Sequence, residues 1–288
     1  MTIPAITSYS LPEPSALPVN RVDWQCDPAK AVLLIHDMQN YFVNYYGQSN
    51  SLISTLQDNI VAIRDWADQW AIPVVYTAQP EDQSAEDRAL LTDMWGPGLQ
   101  STEPTAKDII SALQPRVDDT VLVKWRYSAF QRSPMRDLMT EWRRDQLIIV
   151  GIYAHIGCMM TACDAFMRDI KPFLVADAVA DFSAQDHQMA LDYVANRCGK
   201  VIATADLLNN VKPQITFDWL RSQLLECIDE DEAFFDADEN LVDYGLDSVQ
   251  VMTMIEKWDR MGLVVKVDDL LKEPTLNGWW RAIEKMRS

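Results

Sequence analysis

The sequence predicts an α/β fold: a doubly wound parallel sheet of about six strands, followed by a small all-α four-helix bundle. Three observations carry that prediction. Short apolar runs without polar alternation, the mark of strands covered on both faces, alternate through residues 31–204 with amphipathic helical stripes. The stretch 147–166, LIIVGIYAHIGCMMTACDAF, passes from such a strand into a helix through a small-residue turn at Gly157, and open parallel sheets bind ligands at that end of their strands. Beyond residue 214 the strand pattern stops and only helical periodicity continues.

Five prolines in residues 1–28 remove amide donors and fix φ, which predicts an extended arm lying on a surface. Residues 31–38, AVLLIHDM, read as the first buried strand with Asp37 at its carboxyl end. Leu52, Ile53, Leu56, Ile60, Ile63, Ala67 and Trp70 recur three or four apart and mark a helix over 49–70. Residues 72–79 are the next strand, ending in Gln79. The mixed segment 81–102, with Trp95-Gly96-Pro97-Gly98, is long for a connector and is a candidate lid. Residues 120–125 form a strand that delivers Lys124, the stretch at 147 supplies another, and 172–177 and 200–204 complete the sheet around a helix through Met189, Tyr193 and Val194. The first domain is therefore expected at 1–208, a linker at 209–213 and a second domain at 214–288. Helices in that second domain are marked by Trp219 to Ile228, by Val251 to Trp258, by a short segment at 267–271, and by Leu276 to Ile283 after Pro274.

A formal charge of −18 argues against nucleic-acid partners and anionic membranes, both of which need clustered Lys and Arg. Residues 214–288 hold 17 acidic against 8 basic residues, half of the whole net charge. Five cysteines without framework spacing, no signal-peptide pattern and no apolar run of membrane-spanning length read as a cytoplasmic protein with reduced thiols. Three histidines (His36, His155, His187) form no metal-ligand pattern, which leaves a carboxylate-held Mg²⁺ as the metal still open.

Asp37, Gln79 and Lys124 each end an apolar strand, so all three belong on one rim with the turn at Gly157. A carboxylate, a cation and a helix N-terminus in one place suit acid–base work on an anionic substrate. Strand alternation sends His36 to the face opposite Asp37, and Cys158 stands about 100° around its helix from Gly157, so packing is expected for both. His155 is expected to be structural, and Met159, Met160 and Met167 to be helix packing.

The segments LLIHDMQNYF, YTAQP, EDRALLTDMWGPGL, VKWRYSAF, GIYAHIGC and CDAFMRDIKPF resemble the isochorismatase branch of the isochorismatase-like (cysteine hydrolase) superfamily across residues 1–208. In its amidase members the resemblance implies an Asp, Lys, Cys triad, with the cysteine four residues before a Thr-Ala pair. Counting back from Thr161-Ala162 lands on Gly157, so the nucleophile is missing. Vinyl-ether hydrolysis needs only a proton donor and a water. The resemblance then implies that Asp37 protonates the enolpyruvyl methylene of isochorismate, giving pyruvate and 2,3-dihydro-2,3-dihydroxybenzoate. Lys124, Gln79, Arg88, Tyr153 and the Gly157 amide would position the substrate. Asp37 must hold a proton although Lys124 lowers its pKa, so desolvation under a closed lid has to win.

Asp243-Tyr244-Gly245-Leu246-Asp247-Ser248-Val249 resembles the 4'-phosphopantetheine attachment motif of carrier proteins, with Ser248 the modified residue. Asp and Ser are also good helix caps, and both readings hold together at a helix N-terminus. Nine acidic and no basic residues from 229 to 247 suit the basic surface of a phosphopantetheinyl transferase or a synthetase. Met252, Val267 and Leu271 are candidate docking contacts. The whole chain resembles the bifunctional isochorismatase and aryl carrier proteins of catechol-siderophore pathways. That resemblance implies 2,3-dihydroxybenzoate carried as a thioester, a 2,3-dihydroxybenzoate-adenylating enzyme and a nonribosomal peptide synthetase as partners, and a homo-oligomer. Two other readings compete: a thiol amidase of the same fold using Cys158, and an inactive scaffold that only presents the carrier.

Overall fold

The structure, a computed structural model, describes residues 3, 5–47, 50–99, 103–209, 215–225, 227–228, 235–260 and 263–287. The chain forms two compact units, Met1–Asn210 and Val211–Ser288. Of the linker expected at 209–213, only Asn209 lies within the described residues.

In the first unit six strands, β1 (Ala31–His36), β2 (Val74–Ala78), β3 (Thr120–Val123), β4 (Gln146–Ile152), β5 (Lys171–Ala180) and β6 (Lys200–Ile202), pair in the order β3-β2-β1-β4-β5-β6. Every pairing is parallel. The chain starts in the middle, winds out to β3, then returns to lay β4 against the other side of β1. This reversal leaves a crevice between the carboxyl ends of β1 and β4.

Both faces of the central strands are covered, which is why they read as unbroken apolar runs, whereas the edge strand β3 leaves Val121 and Val123 about half exposed. On one face the stripe of helix Ser51–Gln69 (Leu52, Leu56, Ile60, Ile63) packs on Leu33, Ile35, Ile148 and Val150. On the other, helices Met135–Glu141, Met159–Phe166 and Ala184–Arg197 cover Val32, Leu34, Ile149 and Leu174. Each large apolar side chain so buried contributes about 1.5–3 kcal/mol. Helix Ala184–Arg197 inserts Ala190, Leu191 and Val194, whereas Met189 and Tyr193 face solvent; Met167 is also exposed rather than packed.

The arm is fastened at several points. Ile6 is buried and its N–H donates to the Tyr45 carbonyl at 2.9 Å. The Asn20 side chain both donates to the Val201 carbonyl (2.8 Å) and accepts from the Val201 N–H (2.7 Å), as a neighbouring strand would, so the β6 edge is closed.

The second unit has its own core, with Leu220, Leu224, Met254, Trp258, Leu270, Trp279 and Ile283 contributed by helices Phe217–Leu225, Ser248–Arg260, Val267–Leu271 and Leu276–Arg287.

Candidate active site

The β1–β4 crevice is a cavity whose wall includes Asp37, Gln79, Arg88, Lys124, Tyr153 and Gly157, and the structure thus brings the six hydrolase residues together. Segment 81–102 provides part of the wall through Arg88, Leu91, Trp95 and Gly98, and the arm adds Ile3.

Asp37 follows β1 directly, with φ of +47°. This left-handed conformation is costly for a residue with a Cβ, though less so for Asp, and such strain collects at functional sites. It ends the strand's alternation. His36, expected to face away from Asp37, therefore lies in the same cavity wall, and its Nδ1 is 3.8 Å from Asp37 Oδ2.

The Asp37 carboxylate is 5 % exposed and fully engaged. Lys124 Nζ donates to Oδ2 at 2.5 Å and Thr77 Oγ1 donates to Oδ1 at 2.7 Å, while the Asp37 N–H donates to Thr77 Oγ1 at 3.1 Å. Sheet register makes these meetings: Thr77 pairs with His36 across β1–β2, and the Lys124 N–H extends the β2–β3 ladder to the Ala78 carbonyl. Burial pushes the Asp37 carboxyl up, but the Lys124 charge and the hydrogen bonds from Lys124 and Thr77 outweigh it and hold the group below its ordinary value. Desolvation, expected to prevail, does not.

Gln79 is oriented by a residue the sequence did not single out. The buried Gln39 side chain accepts from the Gln79 N–H (2.8 Å) and donates to the Gln79 carbonyl (2.9 Å) and the Lys107 carbonyl (2.7 Å). Arg88 is buried, with its guanidinium donating to the Gly96 carbonyl and to Gln83 Oε1. Arg126, likewise unmarked by any sequence pattern, is a further cation in the wall.

Tyr153 presents its ring to the cavity, because its hydroxyl donates to the Phe42 carbonyl at 3.0 Å. The turn after it is a π-type turn, Ala154–Cys158, rather than the first turn of an α-helix. The N–H groups of Ile156, Gly157 and Cys158 all converge on the Tyr153 carbonyl, at 3.2, 3.1 and 3.3 Å. The amide expected to be free for substrate at Gly157 is thus already engaged. Cys158 packs in the opposite core layer, fully buried, where burial drives its thiol well above the usual range. His155 is tied outside the cavity to the buried Asp181, with Nδ1 2.6 Å from Oδ1. Among the described residues no cluster of three or more His, Cys, Asp or Glu is placed to hold a metal ion.

In the second unit Ser248 opens helix Ser248–Arg260 and is exposed. Asp247 and Gln250 make the reciprocal cap: the Gln250 N–H donates to Asp247 Oδ1 and the Asp247 N–H to Gln250 Oε1, both at 2.8 Å. Capping falls to Asp247, so the Ser248 side chain is not needed for it.

Comparison with known proteins gives the family of each unit. The family model described as the isochorismatase domain matches residues 31–206, and the one described as a phosphopantetheine attachment site matches residues 218–283. Enterobactin synthase component B of Escherichia coli (strain K12) is 51 % identical over 285 residues, 99 % of each chain. An isochorismatase of Bacillus subtilis (strain 168) is 48 % identical over 299 residues, 98 % of this chain and 96 % of the relative. The solved structure of a cysteine hydrolase from Pseudomonas syringae superposes with a TM-score of 0.59 at 22 % identity, over 67 % of this chain and 96 % of the other, and shows the shared fold. With family models matching both units and this degree of identity over almost its full length, the chain belongs to the isochorismatase family and carries a phosphopantetheine attachment domain in the same polypeptide.

Proposed function

We propose that this chain hydrolyses isochorismate to pyruvate and 2,3-dihydro-2,3-dihydroxybenzoate, and carries 2,3-dihydroxybenzoate on a phosphopantetheine at Ser248 for nonribosomal siderophore synthesis. The observation that carries the first half is the buried Asp37–Lys124 pair in a cavity whose described wall offers no cysteine, serine or threonine. Isochorismate brings two carboxylates to a wall that holds Arg88, Arg126 and the Asp37–Lys124 pair. Exclusion of water favours the neutral form of this buried pair, and the short hydrogen bond lets the proton pass from Lys124 Nζ to Asp37 Oδ2. Asp37 then protonates the methylene carbon; water adds to the oxocarbenium carbon and gives up a proton that restores Lys124; the hemiketal collapses as its hydroxyl proton moves to the departing ring oxygen, breaking the C–O bond to leave pyruvate and the diol. Gln79, held by Gln39, and the Tyr153 ring orient the substrate, while Trp95 and Leu91 keep bulk water away.

The exposed, cap-independent Ser248 fits a phosphodiester at its hydroxyl, and the positive end of the helix favours that charge. When attached, the group supplies a thiol on a long flexible arm. We assign as partners a phosphopantetheinyl transferase, an aryl-adenylating enzyme and a peptide synthetase, the last because the E. coli relative is named a synthase component. A homo-oligomer and a cytoplasmic location complete the reading; among the described residues no helix is long and apolar enough to cross a membrane.

The test is pyruvate release from isochorismate. Asp37→Asn should lose about 10²–10⁴ in kcat/KM, the range of general acid catalysis, with Cys158→Ser still active. Turnover lost in Cys158→Ser but kept in Asp37→Asn would move the chemistry to a thiol enzyme. For the carrier, wild type should gain the mass of one phosphopantetheine and Ser248→Ala should not.

A further inference from the structure

Gly157 lies in the same cavity wall as Asp37 and Lys124. The room a side chain there would need is already taken. A Cβ on Gly157 would stand 2.0 Å from His36 Cε1, 2.7 Å from Nε2 and 2.8 Å from Nδ1, all far inside contact distance. The ring has no retreat. Nδ1 lies 2.9 Å from the Ile152 carbonyl, to which it donates, and the side chain is completely buried. Burial lowers the imidazole pKa to about 4, so the ring is neutral, and Nε2 is buried without a hydrogen bond of good geometry beside the Tyr127 backbone. Its backbone is clamped as well: His36 pairs with Gly151, where a Cβ would come within 2.2 Å of the His36 carbonyl oxygen. His36 is thus wedged between Gly151 of β4 and Gly157 of the turn that follows it.

We propose that His36 is a specificity-determining residue of this site: its imidazole occupies the room a side chain at position 157 would need, and so confines the pocket to proton transfer and water addition. This rests on the reading of the cavity as the hydrolytic site. The Cys158 thiol packs in the core, so with the ring in place the described cavity wall beside Asp37 presents no cysteine, serine or threonine to serve as a thiol or hydroxyl nucleophile.

The experiment is a double-substitution cycle on the full chain, following the larger unfolding transition by calorimetry. Gly157→Ala in the wild-type background should lower that transition by roughly 4–10 °C, as overpacking does. In the His36→Ala background the same substitution should shift it by no more than about 1 °C, because the two changes share one space. An equal cost in both backgrounds, or no cost in wild type, overturns the proposal. Should Gly157→Ala alone fail to fold, a soluble double variant supports the pairing, and an insoluble one beside soluble His36→Ala defeats it. If His36→Ala itself does not fold, the smaller amide of His36→Asn replaces it in the cycle. A second reading is chemical: Gly157→Cys combined with His36→Ala should be alkylated at position 157 by iodoacetamide at least roughly tenfold faster than Gly157→Cys alone, as an accessible thiol near Lys124 should be. Equal rates defeat the claim that the ring shuts a nucleophile out. Neither readout uses isochorismate, so the pairing and the proposed activity fail separately.

Discussion

Asp37 carries opposite demands at the scale of one residue. It is ionised and held by Lys124 and Thr77, yet the proposed chemistry needs it protonated at the moment of transfer. Its pKa is lowered in the fold, so its contribution to stability is present above the ordinary carboxylate value of about 4 and is lost as the pH falls through the lowered value. In Lys124→Met the ammonium is gone, burial becomes the main influence, and the carboxyl should rise. A raised carboxyl contributes below pH ~4 and loses that contribution as the pH climbs through its folded value. The stability gap between wild type and Lys124→Met should therefore widen with pH, reaching about 3–5 kcal/mol near neutrality for a buried charge left unpaired. Urea midpoints measured at several pH values check this; a gap that stays constant from acid to neutral pH contradicts it.

At the scale of elements, the arm and the β5 end are joined through one hydroxyl. Tyr9 lies 3.0 Å from His187 Nδ1 and accepts from the Asp181 N–H at 2.7 Å. His187 Nε2 faces the Ala176 carbonyl at 3.0 Å and burial lowers its pKa, so the neutral ring donates there and accepts from Tyr9 through Nδ1. Tyr9→Phe should cost about 1–3 kcal/mol by orphaning the Asp181 N–H and His187 Nδ1. It should also speed protease cleavage within residues 1–28 and raise KM more than it lowers kcat, since Ile3 closes the cavity from that arm. Cleavage at the wild-type rate would show that the latch does not hold the arm. The helices and strands were legible because burial on both sheet faces leaves a hydrophobic signature that needs no partner to be seen, as helix Ser51–Gln69 shows. Asp37, Lys124 and Gln79 were legible as polar ends of apolar strands. His36 was misread because the positive φ of Asp37 breaks the alternation on which its direction was inferred. Gln39 and Thr77 gave no signal, since their partners lie 40 to 68 residues away in the chain and all but the Asp37 carboxylate are backbone groups. The engaged Gly157 amide was equally hidden, because a π-type turn and an α-helix start from the same residues.

At the scale of the whole molecule, among the described residues the buried core of the second unit shares no member with either core layer of the first. Each unit should therefore keep its own fold when the other is damaged. Trp258 provides the sharpest test, being fully buried and packed edge-on against Trp279 with centroids 5.9 Å apart, and also close to Trp219. Replacing such a side chain with alanine costs about 3–5 kcal/mol. A unit of about 80 residues has a total stability of only about 4–12 kcal/mol at the usual value per residue. Trp258→Ala should bring the carrier unit to the edge of unfolding, and with it the cap that Asp247 and Gln250 build under Ser248. The full-length variant should then gain phosphopantetheine far more slowly than wild type, while its pyruvate release from isochorismate stays within about twofold, because the β1–β4 crevice owes nothing to Trp258. A parallel fall in both activities would mean that the two units share stability after all.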